Sequence, residues 1–246
     1  MMPDNQIRAN PSLIIGLGGT GVKTATQIKK DLLEISGNLL PGAVRLLGFD
    51  TEKVNRVRVG GWGKARQPGS RSTGPVQLEA GEYVYIGKNV RADAERIRNG
   101  EDSHIGGWWN VRDYLAQNLP EIVWNLDEGA GRYRQFGRVA LCTNITVFQT
   151  MLTSALRTIR QQTNAEGVAI HVVGSLAGGT GAGLFIDVAH IAREIAQSVG
   201  LKQAKVFGYF ALVEAFEGTP AIRLNNAITR LDFDARGYAA LRELAR

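Results

Sequence analysis

The chain has 246 residues, 44% of them apolar and 21% charged, which suits one large globular domain or two small ones and excludes a disordered chain. A formal net charge of +6 with a pI of about 9.6 admits an acidic partner: nucleotide phosphate, nucleic acid or an anionic membrane. The single cysteine, Cys142, excludes an internal disulfide framework. The polar start from Met1 to Pro11 and the lack of any apolar run near the ~20 residues of a membrane span predict a soluble, cytoplasmic protein.

Leu13-Ile14-Ile15 predicts a buried strand ending in the glycine cluster Gly16 to Gly21. Ala25, Ile28, Leu32 and Ile35 then recur at spacings of three and four, as on an amphipathic helix, until Gly37, Asn38 and Pro41 stop it. Val44 to Phe49 is a second strand, closed by Asp50-Thr51. This β-loop-α-β unit predicts a right-handed crossover and a parallel pair. Periodicity is lost over 52–80, where Lys53, Arg56, Arg58, Lys64, Arg66 and Arg71 lie among glycines. The basic loop 53–71 is solvated, or it binds nucleic acid or another polyanion.

The stretch at about 55–125 reads as an insertion, with a strand-like YVYI (83–86) and helix around Trp108 to Leu119. Trp108, Trp109 and Trp124 are core or interface aromatics in this reading. Leu141, Ile145, Phe148, Leu152, Ala155 and Ile159 predict one long helix, with Cys142 a buried structural thiol. Val168 to Leu176 is a strand, followed by a second glycine cluster and a helix carrying Leu184, Val188, Ile191 and Ile195. Lys205 to Val213 is the last strand. Thr219-Pro220 starts a helix whose face runs Leu224, Ile228, Leu231, Ala235, Tyr238 and Leu241. Strands alternating with helices make an α/β fold, a mostly parallel sheet with helices on both faces.

Two glycine-rich segments each sit between a strand and a helix: Gly16-Leu17-Gly18-Gly19-Thr20-Gly21 and Ala177-Gly178-Gly179-Thr180-Gly181-Ala182-Gly183. Such a loop lets backbone N–H groups converge on an anion, and the helix behind it adds unpaired N–H groups and a positive dipole end. Thr20 and Thr180 can add hydroxyl donors. Four glycines within Gly178 to Gly183 exceed the needs of a turn, whereas the first segment also fits the dinucleotide fingerprint. Lys23 follows the first cluster without making a Walker A sequence.

The second segment resembles the signature loop of the tubulin/FtsZ superfamily, G-G-G-T-G-S/T-G, with Ala177 and Ala182 as departures. The first is similar to that family's first phosphate loop, and Asp50-Thr51 falls where its second nucleotide loop begins. Gly129-Ala130-Gly131 followed by Gly137-Arg138 resembles the third loop, which faces the γ-phosphate, and Phe216-Glu217-Gly218 the sugar-contacting loop. Five elements in family order, with a Tyr238-to-Leu244 helix, look most like the bacterial tubulin-like proteins. The resemblance implies a Rossmann-like tubulin/FtsZ GTPase domain over 1–246, with a central helix near 220–246.

The implied ligand is GTP or GDP, GTP before ATP, with Mg2+ as a companion ion. The implied nucleotide site comprises Gly18, Gly19, Thr20, Gly21, Asp50, Thr51, Gly129, Ala130, Gly131, Ala177, Gly178, Gly179, Thr180 and Gly181, with Asp50 contacting the ribose or a metal-bound water, or else capping a turn. Glu217 and Arg223 would hold the ribose, and Asn225 or Asn226 the guanine edge; Arg236 stands where the bacterial relatives lead one to expect asparagine. Arg132, Arg134 and Arg138 could reach the γ-phosphate. Copies would associate head-to-tail into filaments, or a partner would supply the second domain. The activation domain with its catalytic acidic loop lies outside these residues, so the resemblance implies binding with poor hydrolysis and no catalytic residue here.

Two other readings stay open. A dinucleotide-dependent oxidoreductase would use Gly16, Gly18 and Gly21 with an acid about 20 residues on; Asp50 comes later, and the second glycine segment would have no role. A non-hydrolysing interaction module would use the loops for an anion alone. His104, His171 and His190 show no ligand spacing for zinc, and no Ser/His/Asp arrangement is readable.

Overall fold

The computed structural model describes residues 9–53, 76–90, 133–216 and 227–245, with 92, 93, 96, 99, 101 and 130 besides; within 227–233 it describes backbone only. The chain runs β1 (Ser12–Leu17), α1 (Gly18–Ile35), β2 (Val44–Asp50), β3 (Tyr83–Tyr85), α2 (Arg134–Thr143), α3 (Ile145–Thr163), β4 (Gly167–Ser175), α4 (Gly179–Ser198) and β5 (Gln203–Ala211). A 3₁₀ turn (Val213–Phe216) and α5 (Ala227–Leu244) follow. The five strands form one sheet in the order β3-β2-β1-β4-β5, and every pair is parallel.

The period-two alternation of β1 divides the core in two. Leu13, Ile15 and Leu17 face one layer with Phe136, Phe148, Leu152 and Leu184 from α2, α3 and α4. Ile14 points the other way and packs with Val22 and Ala25 of α1. Helices therefore lie on both faces, as the alternating elements predict.

Three expectations change. The stripe from Leu141 to Ile159 belongs to two helices, α2 and α3, bent by 75° at Asn144. No Pro or Gly marks the break. The Asn144 side-chain amide instead lies 2.8 Å from Ile86 O, 3.1 Å from Lys88 O and 3.0 Å from Ala140 O, tying the bend to the segment after β3. The stripe survives because α3 continues to bury Phe148, Leu152, Ala155 and Ile159 under the same layer. Cys142 is half-buried rather than buried. On α5, Ala240 is buried while Tyr238, Leu241 and Leu244 are exposed, so the buried side is narrower than the apolar period suggests. Smaller shifts are that Ile35 is exposed and Leu176 and Val213 lie just beyond their strands.

Among the described residues no single helix is long and apolar enough to cross a membrane. The basic loop 53–71 apart from Lys53, the tryptophans Trp108, Trp109 and Trp124, His104 and the Thr219-Pro220 helix start lie outside the described residues.

Candidate functional site

From β1 the chain builds outward to β2 and β3 on one side, then returns to add β4 and β5 on the other. The neighbouring strands β1 and β4 thus send their helices, α1 and α4, off from the same end of the sheet. In open parallel sheets the crevice at such a switch point is where ligands bind. Here it is a cleft of about 160 Å³, walled by Leu17, Gly18, Gly19 and Thr20 on one side and Ser175 with Gly178 to Gly181 on the other. Asp50, Glu52 and Ala130 complete it.

Both glycine segments are largely helix rather than loop. Gly18 opens α1 with φ +67°, a conformation that disfavours any side chain, and a Cβ there would lie 3.1 Å from Gly181 N. Gly179, Gly181 and Gly183 lie in the first turns of α4, and close packing occupies the space beside them. A Cβ on Gly181 would lie 2.9 Å from Ser175 O, and one on Gly179 2.9 Å from Ala130 O. Gly178 differs: it has ordinary extended backbone (φ −89°, ψ 160°), and a Cβ would meet nothing within 4 Å.

Neither α1 nor α4 has a side-chain cap or an acidic residue in its first turn. Two helix N-termini, each with N–H groups that no side chain of the helix neutralises, therefore converge on one cleft. The arrangement suits an anion.

Behind this wall lies a buried polar chain. Ala130 N–H donates to Thr51 Oγ1 at 2.7 Å, and Thr51 Oγ1 lies 2.8 Å from Thr180 Oγ1. Asp50 Oδ1 accepts the Thr51 N–H at 2.8 Å, which fixes the carboxylate at the end of β2. Ser175 Oγ accepts the Ala177 N–H at 3.0 Å.

Of the expected nucleotide-site residues, Gly18, Gly19, Thr20, Asp50, Ala130, Gly178, Gly179, Thr180 and Gly181 come together on the cleft. Thr51 stands behind it, fully buried; Gly21 packs against the Val173 carbonyl, and Ala177 against Val213. Gly129, Gly131, Arg132, Glu217, Arg223, Asn225 and Asn226 lie outside the described residues. Arg134 donates to Ala182 O at 3.1 Å and pairs with Glu243, while Arg138 pairs with Asp187 at 2.8 Å. Arg134 thus ties α2 to α4 and α5, and Arg138 ties it to α4.

Sequence reasoning missed Leu17, Ser175 and Glu52 as lining residues. The strand period offered a signal for Glu52, since residues two apart, Asp50 and Glu52, share a face.

A comparison with curated protein sequences finds no match. Among solved structures the chain is similar to CetZ2 from Haloferax volcanii, in a GTPγS-bound protofilament, with a TM-score of 0.41 and 15% identity. That match covers 94% of this chain and 56% of the CetZ2 chain, so this chain spans little more than half of its length. A model of the family described as "Tubulin like" matches residues 13–246. With a match over nearly its whole length, the chain belongs to the tubulin-like family.

Proposed function

We propose that this protein binds a guanine nucleotide, GTP or GDP, with the phosphates in the cleft between the N-termini of α1 and α4. The observation that carries this reading is Gly178. Neither its backbone nor its neighbours require glycine, and Asp, Asn or Ser would cap α4 at least as well. A bare backbone edge there makes physical sense as room for a ligand against the N–H groups.

The cleft is smaller than the roughly 300 Å³ at which small-molecule pockets begin, so it suits phosphates rather than a whole nucleotide. In this reading Glu217 and Arg223 hold the ribose, and Asn225 or Asn226 reads the base. Membership of the tubulin-like family supports guanine. Asp50 and Glu52 put carboxylates beside the same cleft, the donor set by which Mg2+ is held together with phosphate oxygens. Copies associate head-to-tail near the nucleotide, or a partner supplies the second domain, and efficient hydrolysis needs an acidic loop that these residues do not supply.

Gly178→Asp tests the phosphate site. An aspartate at this N-cap raises helix stability by a few tenths of a kcal/mol, about what separates Gly from Asp at such positions. It also places a negative charge where the phosphates sit. The variant therefore melts at or above the wild-type temperature and loses GTPγS binding in titration calorimetry. Wild-type protein without saturable GTPγS binding, or a variant that binds as the wild type does, overturns the reading. Inorganic phosphate competing as strongly as GTP would favour the anion-binding module instead.

A further inference from the structure

The hydroxyl pair behind the cleft has a direction. Thr51 is fully buried, and its oxygen already accepts the Ala130 N–H at 2.7 Å. Its own proton needs an acceptor, because a buried O–H left unpaired is costly. Among the described residues that acceptor is Thr180 Oγ1, 2.8 Å away. Were Thr180 the donor, Thr51 would accept twice and its proton would have no partner among the described residues. With Thr51 donating, the Thr180 proton is left for another acceptor, and Thr180 lines the cleft where Thr51 does not.

We infer that Thr51 is a positioning residue: through Thr180 it makes this point of the cleft a fixed hydrogen-bond donor. Such a point selects ionised phosphate oxygens, which only accept, over ligand groups that must donate. The inference rests on the proposed nucleotide-phosphate site and adds the origin of its polarity. The Ala130 N–H sets the Thr51 hydroxyl, which sets the Thr180 hydroxyl. Ala130, on the segment before α2, is thereby linked to the ligand through its backbone N–H.

The test is a double-mutant cycle on the full chain, with GTPγS and pyrophosphate as probes in titration calorimetry and a thermal melt for every variant. Thr51→Val weakens both probes by about tenfold or more, the loss expected for one hydrogen bond to a charged group. Thr51→Ser, which keeps the hydroxyl, restores affinity to within about twofold of wild type, the margin for uncoupled changes. Thr180→Val alone weakens binding, and adding Thr51→Val to it costs little more, because Thr51 acts through Thr180. Losses that multiply in the double variant, or a Thr51→Val protein that binds as the wild type does, overturn the inference alone. A wild-type chain that binds neither probe overturns the nucleotide reading and this inference with it.

Discussion

Gly178 and Gly183 lie five residues apart, and a methyl group has opposite consequences at the two. At 183 it would run into the Arg134 carbonyl, at the place where α2 crosses α4. The partner atom is backbone, so relief requires moving a helix, and overpacking of this kind costs about 1–3 kcal/mol. Gly183→Ala should therefore lower the unfolding free energy by an amount in that range, read as a lower denaturant midpoint at unchanged slope. Gly178→Ala meets no steric conflict and loses only the N-cap preference for glycine over alanine, so it should cost less, about 0.5–1 kcal/mol. Equal effects at the two positions in urea titrations would show that the α2–α4 crossing is looser than the geometry indicates. Thr51 makes the same point for polar groups, since it touches the site only through its hydrogen-bond partners.

At the scale of elements, the two central strands and their helices were legible because their signals are local. Leu13-Ile14-Ile15 and VRLLGF are short apolar runs bounded by glycine or Asp-Thr; the second became β2 with only Asp50 added, and the first became the middle of β1, which runs on through Gly16 and Leu17. The bend between α2 and α3 was not legible. It depends on Asn144 reaching the carbonyls of Ile86 and Lys88, more than fifty positions away, while the apolar period runs through the break undisturbed. The site divides in the same way. The two glycine segments could be read directly, but which glycines face a ligand and which relieve a helix crossing is settled by tertiary packing.

The pairing of β4 with β5 adds a consequence in pH. His171 stacks on Phe207 with centroids 5.5 Å apart and lies 5.8 Å from the Tyr209 ring. Burial holds its pKa below the ordinary 6.5. Lys205, Phe207 and Tyr209 of β5 share its face of the sheet. Below pH 6.5 the unfolded chain takes up a proton that the folded chain resists, so stability falls with acidification until the folded pKa is passed. Thermal melts between pH 8 and 5 should show this decline. His171→Phe should flatten it in the window just below 6.5, while an unchanged slope would assign the decline to other groups.

For the whole molecule, the cleft joins parts that are distant in sequence: the ends of β1, β2 and β4, the starts of α1 and α4, and the segment at Ala130. A ligand there binds only when these parts are assembled, so it stabilises the fold as a unit. At a hundredfold excess over Kd the gain is about 2.7 kcal/mol. For a chain of this size each kcal/mol raises Tm by about 2–4 °C, so nucleotide should add roughly 5–10 °C. Head-to-tail association adds a dependence that simple binding lacks. If a second copy packs against the bound nucleotide, mass action makes the rise grow with protein concentration even when nucleotide stays in excess. Melts with GTPγS at protein concentrations a hundredfold apart should then separate by several degrees. Sedimentation velocity at the higher concentration should show species larger than the 26.7 kDa chain. A nucleotide-induced rise of the same size at both concentrations, with a single 26.7 kDa species, would establish binding by each copy alone and remove the head-to-tail part of the proposal.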